Sequence, residues 1–579
     1  MLDLHIRKRR GRNTHYFVLG LLIPLLILGL FLQTDCVQAD GSVSLQVSGM
    51  DATISNGIFT IKLTNTGSRS LVYKGQELIG PSKGFYSSIN GGSSYQAFRA
   101  TQLKIVTNTS SMVDIAYISS WGTFHYIVLD GVSGIYCYFI ANGIGTVGEF
   151  RTVYEVDSSI FHTGYNGVES AIPLPSANQL QQATSVQDAT SKLASGTIYT
   201  KYDAANYIGQ DTLHGIYGSG YGVWRISPSH EYLEGGPMKQ DLTVHAVGVV
   251  LNMLVSGHFG TPEVSIPSGK IYGPWFLYFN NGSISDARAQ AAAQVAQWPY
   301  RWLSNPSYPL SRTTVTGSIV LSSRQPAAGA TVTLAAPGGD VYSQGAGYIF
   351  WTQADAKGHF TIPKVRPGTY CLYAWANRGP TTPGSIGTVA DQYEQDNIIV
   401  SRASVNLGTL TWKITQYKHF LWQIGTADRK ADKFKLGNVP RQYGLWNQVP
   451  ADLTYTIGQS TPANDWYYAQ TKVGTWNVNF NLSKTYSGQA HLTVALAGAS
   501  NKRNHVDILV NNTFIATYPQ FTNDQTIYRS GNQSGSYHLL TFTFPASLLK
   551  VGSNTMAFKM TNVNNGGGIM YDFIKLETD

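Results

Sequence analysis

The stretch "LNMLVSGHFG", Leu251 to Gly260, is apolar until it ends on an imidazole set among glycines, Gly257-His258-Phe259-Gly260. An imidazole titrates near neutral pH, so it can give or take a proton in a reaction. A histidine at a turn, hydrogen-bonded at the edge of a core, looks the same in a sequence. Other candidate groups lie just upstream. Asp203, Glu231 and Glu234 could supply the two carboxylates of a glycoside hydrolase, although nothing in their spacing requires it. His214 and His230 read as structural. No His, Cys and carboxylate cluster has metal-ligand spacing, so no metal and no other cofactor is expected.

These residues need a scaffold, and the chain reads as mainly β and multidomain. Its 579 residues exceed what one core holds. Charged residues are only 13%, with 59 glycines and 35 tyrosines, which suits an extracellular β-rich protein better than a cytosolic helical one. Residues 40–310 form the first unit. Alternating segments such as "GIFTIKLTN", "HYIVLDG" and "GIYCYFIANG" predict strands. Residues 160–260 are irregular and rich in Gly, Tyr and His, the composition of loops that carry function on a rigid frame. "SISDARAQAAAQVAQW", Ser283 to Trp298, predicts one helix, capped by Ser283 or Ser285 and ended by Pro299. Residues 311–412 repeat strands at the spacing of a β-sandwich. Residues 413–579 read as a jelly roll. Trp446, Trp466, Tyr467 and Tyr468 there fit either its core or a sugar-stacking surface.

The first 39 residues read as an export signal. Arg7-Lys8-Arg9-Arg10 precedes the apolar "YFVLGLLIPLLILGLFL", and "VQA" supplies a small-residue cleavage site. The protein is therefore expected to be secreted, without stable membrane association after cleavage, with a retained membrane anchor as the alternative. Removing residues 1–39 takes away five Lys/Arg and two Asp/Glu, leaving 36 against 31. That mild positive balance suits a polyanionic substrate, and the absence of a basic block argues against nucleic acid. Cys137 and Cys371 fall in different units, so no disulfide framework is expected and the cores must be large. A monomer is expected.

The order of the units, with several blocks of sequence, resembles the rhamnogalacturonan lyases of polysaccharide lyase family 4. The blocks are "GEFRTVY" (148–154), "YTKYD" (199–203), "HGIYGSGYGVWRISPSHEYLEGGPMKQDLT" (214–243) and "LNMLVSGHFG" in the first unit. "KGHFTIPKVRPGTYCLYAW" is similar to the family's fibronectin type III-like middle domain. "WQIGTADRKADKF" and "MYDFIKLE" are similar to its carbohydrate-binding-module-like third domain. The resemblance implies a galactose-mutarotase-like super-sandwich for the catalytic unit. It implies Lys201 and His258 as catalytic residues and Arg151 as the partner of the substrate carboxylate. The chain departs from a fungal pattern at Leu251, Met253 and Glu155, where that pattern has two tyrosines and an arginine.

The implied substrate is rhamnogalacturonan I, a pectic polysaccharide alternating rhamnose and galacturonate. The implied reaction is β-elimination at the rhamnose-α-1,4-galacturonate bond, leaving a 4,5-unsaturated uronate. Such a reaction needs a neutralised carboxylate, a base at C5 and an acid at O4. Lys201 is the expected base and needs burial or a nearby cation to lose its proton; Arg151 could supply the cation. His258 is the expected acid, and the reverse assignment stays open. Gly257 and Gly260 would let sugar and backbone approach closely. Asp203 is expected to bind substrate or orient Lys201, with an ordinary turn aspartate beside Tyr202 as the alternative. Lys239 and Gln240 are expected to bind substrate, with the pinning of a loop as the alternative. The competing functions are a hydrolase acting on pectin and a non-catalytic extracellular carbohydrate-binding protein. The third unit is expected to hold insoluble substrate more than to assist turnover.

Overall fold

A computed structural model describes residues 42–91, 94–500 and 504–579. The export-signal expectation for residues 1–39 lies outside them. No described helix is long and apolar enough to cross a membrane.

The first unit packs two antiparallel sheets, of ten and nine strands among the described residues. Alternating strands such as Phe59–Thr64 turn one face to the core and the other outward. Phe59, Phe150, Tyr272 and Trp275 are part of the core between the sheets. The Glu149–Glu155 strand lies between Gly84–Gly91 and Val249–Ser256 in the ten-stranded sheet. The Val249–Ser256 strand is buried at every position. One face, Val250 and Leu254, joins the sandwich core. The other, Val249, Leu251 and Met253, packs under Tyr202, Leu242 and Phe259 from the irregular segment. This second layer is why the strand reads as a continuous apolar run rather than an alternating one.

The Ile284–Gln297 helix starts where Ser283 accepts a bond from Asp286 N at 3.2 Å. It packs Ala287 and Ala291 against the outer face of the nine-stranded sheet, beside Trp224 and Phe276. The second unit is a sandwich of three- and four-stranded sheets, with strands from Thr313 to Trp412. The third packs two five-stranded sheets, with strands from His419 to Thr578. Trp446, Trp466 and Tyr468 belong to its core, and Trp466 meets Trp476 edge-on at 4.9 Å. Tyr467 is half-buried against that core. Cys137 and Cys371 are buried free thiols.

Candidate active site

Lys201 opens a short 3-10 turn, Lys201–Ala204, directly after the Ile198–Thr200 strand. The Thr200 hydroxyl accepts a bond from Tyr202 N at 3.4 Å and sets the turn. His258 follows the Val249–Ser256 strand. The ladder extends one residue further, with Gly257 N donating to Gly148 O at 2.8 Å. These two segments and the start of the Glu149–Glu155 strand wall one cleft of about 300 Å³. Lys201, His258, Glu149, Asp188, Tyr202 and Arg529 line it.

The His258 ring is held on both nitrogens. Nδ1 lies 2.6 Å from Ser256 Oγ and 3.8 Å from Asp241 Oδ1, and Nε2 lies 3.4 Å from Glu149 Oε2. Its pKa is pushed well below the ordinary imidazole value, first by burial and then by Lys201, Arg529, Lys239 and Arg151. The Lys201 ammonium makes no hydrogen bond or ion pair among the described residues; it lies 5.2 Å from the centre of the Tyr202 ring. Burial lowers its pKa. Glu149 and Asp188 oppose that shift, while Arg151 and Arg529 add to it. The cleft thus holds an unengaged amine beside an imidazole kept uncharged, a pair suited to proton transfer.

Arg529 comes from the third unit and was not a candidate in the sequence. Its Nη1 donates to His258 O at 2.9 Å and its Nη2 pairs with Asp188 Oδ2 at 2.8 Å. Its guanidinium lies 4.9 Å over the Tyr202 ring, and the Tyr202 hydroxyl donates to Asp188 at 2.7 Å. The tyrosine and the arginine outweigh burial and hold Asp188 below the usual carboxylate range. Nothing in "TIYRSGNQSGS" (526–536) marks this arginine, because the segment has no periodicity. Glu149 sits inside "GEFR", where the family resemblance points instead to Arg151 two residues on.

Arg151 stands beside the cleft rather than among its lining residues. Two positions along the strand from Glu149, on the same face, it pairs with Glu149 Oε1 at 3.1 Å and donates through Nε to Ser88 Oγ at 3.1 Å. The other expected site residues do not line the cleft. Asp203 is half-buried, and the loss of solvent raises its pKa to about 6, against the pull of Ser530 and the Tyr443 backbone. It faces the third unit, not Lys201. Lys239 is buried on Ser256 O, on Thr261 Oγ1 at 2.5 Å and on Glu234 Oε1 at 3.1 Å. Gln240 bonds Ser534 O and its hydroxyl in the third unit. Both serve the alternative expected for them: they pin loops.

Gly260 also has a different reason from the one expected. Its φ is +91°, and a Cβ there would lie 2.5 Å from Asp524 Cβ, so the third unit, not a sugar, excludes a side chain. Three consecutive carbonyls of this loop are held from other units. His258 O accepts from Arg529, Phe259 O from the Tyr342 hydroxyl at 2.6 Å, and Gly260 O from the Ser536 hydroxyl at 3.4 Å. All three units therefore fix the position of His258.

The carboxylates considered for a hydrolase are engaged elsewhere. Glu231 is buried between Arg312 at 2.6 Å and Arg366 at 3.1 Å, joining the first and second units. Glu234 accepts from Ser256 N at 2.5 Å besides pairing with Lys239. His214 is bonded to Asp211 at 2.8 Å and to Leu251 O at 2.6 Å. His230 lies against Trp351, and burial lowers its pKa to about 4. No group of three or more His, Cys, Asp or Glu placed to hold a metal ion occurs among the described residues.

Comparison with known proteins gives three consecutive matches. Residues 47–298 match the profile "Rhamnogalacturonan lyase B, N-terminal". Residues 327–404 match "Polysaccharide lyase family 4, domain II", and residues 420–576 match its domain III. The chain is 35% identical to a protein named rhamnogalacturonate lyase from Dickeya dadantii, over 93% of this chain and 95% of that relative. It is 25% identical to a probable rhamnogalacturonate lyase B from Aspergillus niger, over 90% of this chain and 88% of that protein. It is 26% identical to rhamnogalacturonate lyase B of Emericella nidulans, over 74% of this chain and 77% of that protein.

Proposed function

The chain belongs to polysaccharide lyase family 4, and from that premise we propose that it cleaves rhamnogalacturonan by β-elimination, with Lys201 and His258 moving the two protons. The observation that carries this is the unengaged Lys201 ammonium in one cleft with a desolvated His258. Lys201, in the neutral amine form that burial favours, takes the C5 proton of the galacturonate. The electron pair forms the C4–C5 double bond, the C4–O4 bond breaks, and His258 protonates O4 of the departing rhamnose. No water is consumed and nothing is oxidised. Arg529 and Arg151 offset the uronate carboxylate, which makes the C5 proton more acidic.

The charge balance gives His258 its proton. Lys201, Arg529 and Arg151 all lower its pKa in the resting cleft. For the step to balance, the proton that Lys201 gives up to become the base passes to His258, whose hold on it rises when a bound uronate sets a negative charge among those cations. The reverse assignment, His258 as base and Lys201 as acid, is favoured by one observation, the uncharged resting imidazole. Deuterium exchange at C5 separates the two. Exchange in D2O retained by His258→Ala and lost in Lys201→Ala supports lysine as base; the opposite pattern supports histidine.

The activity itself is tested with pectic hairy-region polysaccharide. Growth of the ultraviolet absorbance of an unsaturated uronate is expected. New reducing ends without that band would instead mean hydrolysis, and neither signal would mean binding alone. We further read the protein as a secreted monomer that acts on rhamnogalacturonan I outside the cell and is not held at a membrane. The N-terminal basic-apolar-"VQA" pattern supports export, and N-terminal sequencing of the extracellular protein, expected to begin at Asp40, tests it.

A further inference from the structure

A cavity of about 250 Å³ lies where the first unit meets the third. Glu169 and the residues that follow the Lys201–Ala204 turn line it from the first unit. Lys430, Asp432 and Arg441 line it from the third. It shares no lining residue with the cleft. Its mouth reaches solvent, where Val168 is 66% exposed.

Three of its four charged side chains are unpaired. Arg441 makes no hydrogen bond or ion pair among the described residues, and its Nη1 is buried. Its guanidinium lies 5.0 Å from the centre of the Phe259 ring. Asp203 and Glu169 act on it only through space. The Lys430 ammonium lies 4.7 Å over the Tyr207 ring and also has no anionic partner among the described residues. The Glu169 carboxylate makes no hydrogen bond or ion pair there either, and burial raises its pKa against the pull of Arg441. Asp432 differs, because Arg378 of the second unit takes it. Burying a charged group is costly unless hydrogen bonds or an opposite charge answer it. No described group bonds the buried Arg441 nitrogen, so its bonding capacity is left for a ligand.

The three unpaired groups define that ligand. A planar guanidinium matches a carboxylate with two parallel bonds, and Lys430 adds a second positive charge. Glu169, when ionised, only accepts hydrogen bonds. It would repel a bare anion and bond a hydroxyl group. The fitting molecule carries a carboxylate and hydroxyl groups together. We infer that this cavity is a second binding site, separate from the cleft, for a uronate sugar. The choice of sugar rests on the lyase reading above, which puts galacturonate within the intact polysaccharide and at the end of each product.

Arg441→Gln and Lys430→Gln test the site, each in full-length Lys201→Ala protein, which is expected to leave the substrate intact. Arg529→Ala in the same background is the control for binding in the cleft. Methyl α-galacturonide, methyl α-galactoside and acetate are titrated by calorimetry, with melting temperatures alongside. The galacturonide is expected to bind more tightly than the other two. It should lose about tenfold in affinity in both glutamine variants and keep its affinity in Arg529→Ala. Lys430 is half-exposed, so Lys430→Gln keeps the test decisive should Arg441→Gln not fold. Two rhamnogalacturonan tetrasaccharides, one ending in a saturated and one in an unsaturated uronate, then identify the source. Tighter binding of the unsaturated one supports the inference with released product as occupant; equal or tighter binding of the saturated one supports it with the intact chain. Unchanged galacturonide affinity in a well-folded glutamine variant overturns the inference. So does a loss in Arg529→Ala alone, which places the binding in the cleft, and so does acetate binding as tightly as the galacturonide. Undetectable binding throughout overturns it as well. Failure of the lyase reading would show separately, as no unsaturated product from the wild-type enzyme.

Discussion

Two lysines flank His258, and they do opposite things. The Lys201–Ala204 turn presents an ammonium with no described partner to the cleft. The Gly236–Met238 turn and the residues after it bury Lys239 against a backbone carbonyl, a hydroxyl and a carboxylate. Both lysines come from motifs of the irregular segment, and both were expected to touch substrate. The difference lies in their partners. A lysine whose donors are already taken holds protein together, whereas one without partners has its bonding capacity left for a ligand.

The sharpest way to break this contrast is to remove each lysine in turn. Lys201→Ala should cost about 10²–10⁴-fold in turnover with an unchanged melting temperature. The double variant with His258→Ala should be little worse, because residues that act as a unit are not additive. Lys239→Met should act on stability instead. It leaves Glu234 buried without its cation, a loss of about 3–5 kcal/mol that thermal unfolding would register. An inactive Lys239→Met protein with wild-type stability would move that lysine into the chemistry and erase the contrast.

A smaller effect is expected at the third-unit wall. Arg529→Ala removes one charge-assisted bond to the His258 carbonyl and one cation facing the uronate, so kcat/KM should fall about 10–100-fold. A rise in KM is expected to be the larger part. A pH effect is expected on the Lys239 side. Burial pushes Asp241 up to about 7 from its usual 3.8. The folded state therefore holds this proton more tightly than the unfolded chain. Its contribution to stability is full below the unfolded pKa and is lost as pH rises through about 7. Melting temperatures of wild type and Asp241→Asn should accordingly diverge from about pH 4 to pH 7, in favour of the variant. Parallel curves would remove Asp241 from the account.

The β architecture was legible because alternation and turn residues are local signals. The Val249–Ser256 strand shows where such signals stop: its second buried face exists only because the loop carrying Tyr202 and Phe259 folds over it. Of the cleft, the lysine and histidine were legible through their motif. Arg529 was not, since it arrives from the third unit on a segment with no repeating pattern. Lys239 and Gln240 misled because a dense motif looks alike whether it binds a ligand or pins a loop. Gly260 misled in the same way: a backbone that must be bare does not say what approaches it. The third unit, expected to be chiefly a polysaccharide anchor, contributes a wall of the cleft. Removing residues 413–579 should therefore reduce turnover of short soluble oligosaccharides as severely as binding to insoluble pectin.

The carbonyl bonds around His258 also carry a timing. The loop is completed by Tyr342, Arg529 and Ser536, all translated after it. The body that holds Arg529 needs the Gly568–Thr578 strand at the centre of its sheet. Domains emerging from the ribosome fold in order, first made first. A nascent chain can thus finish its first sandwich, lysine and histidine included, and still lack a formed cleft. Catalytic competence comes late in synthesis, so a truncated chain is expected to be inert even where its first sandwich has folded.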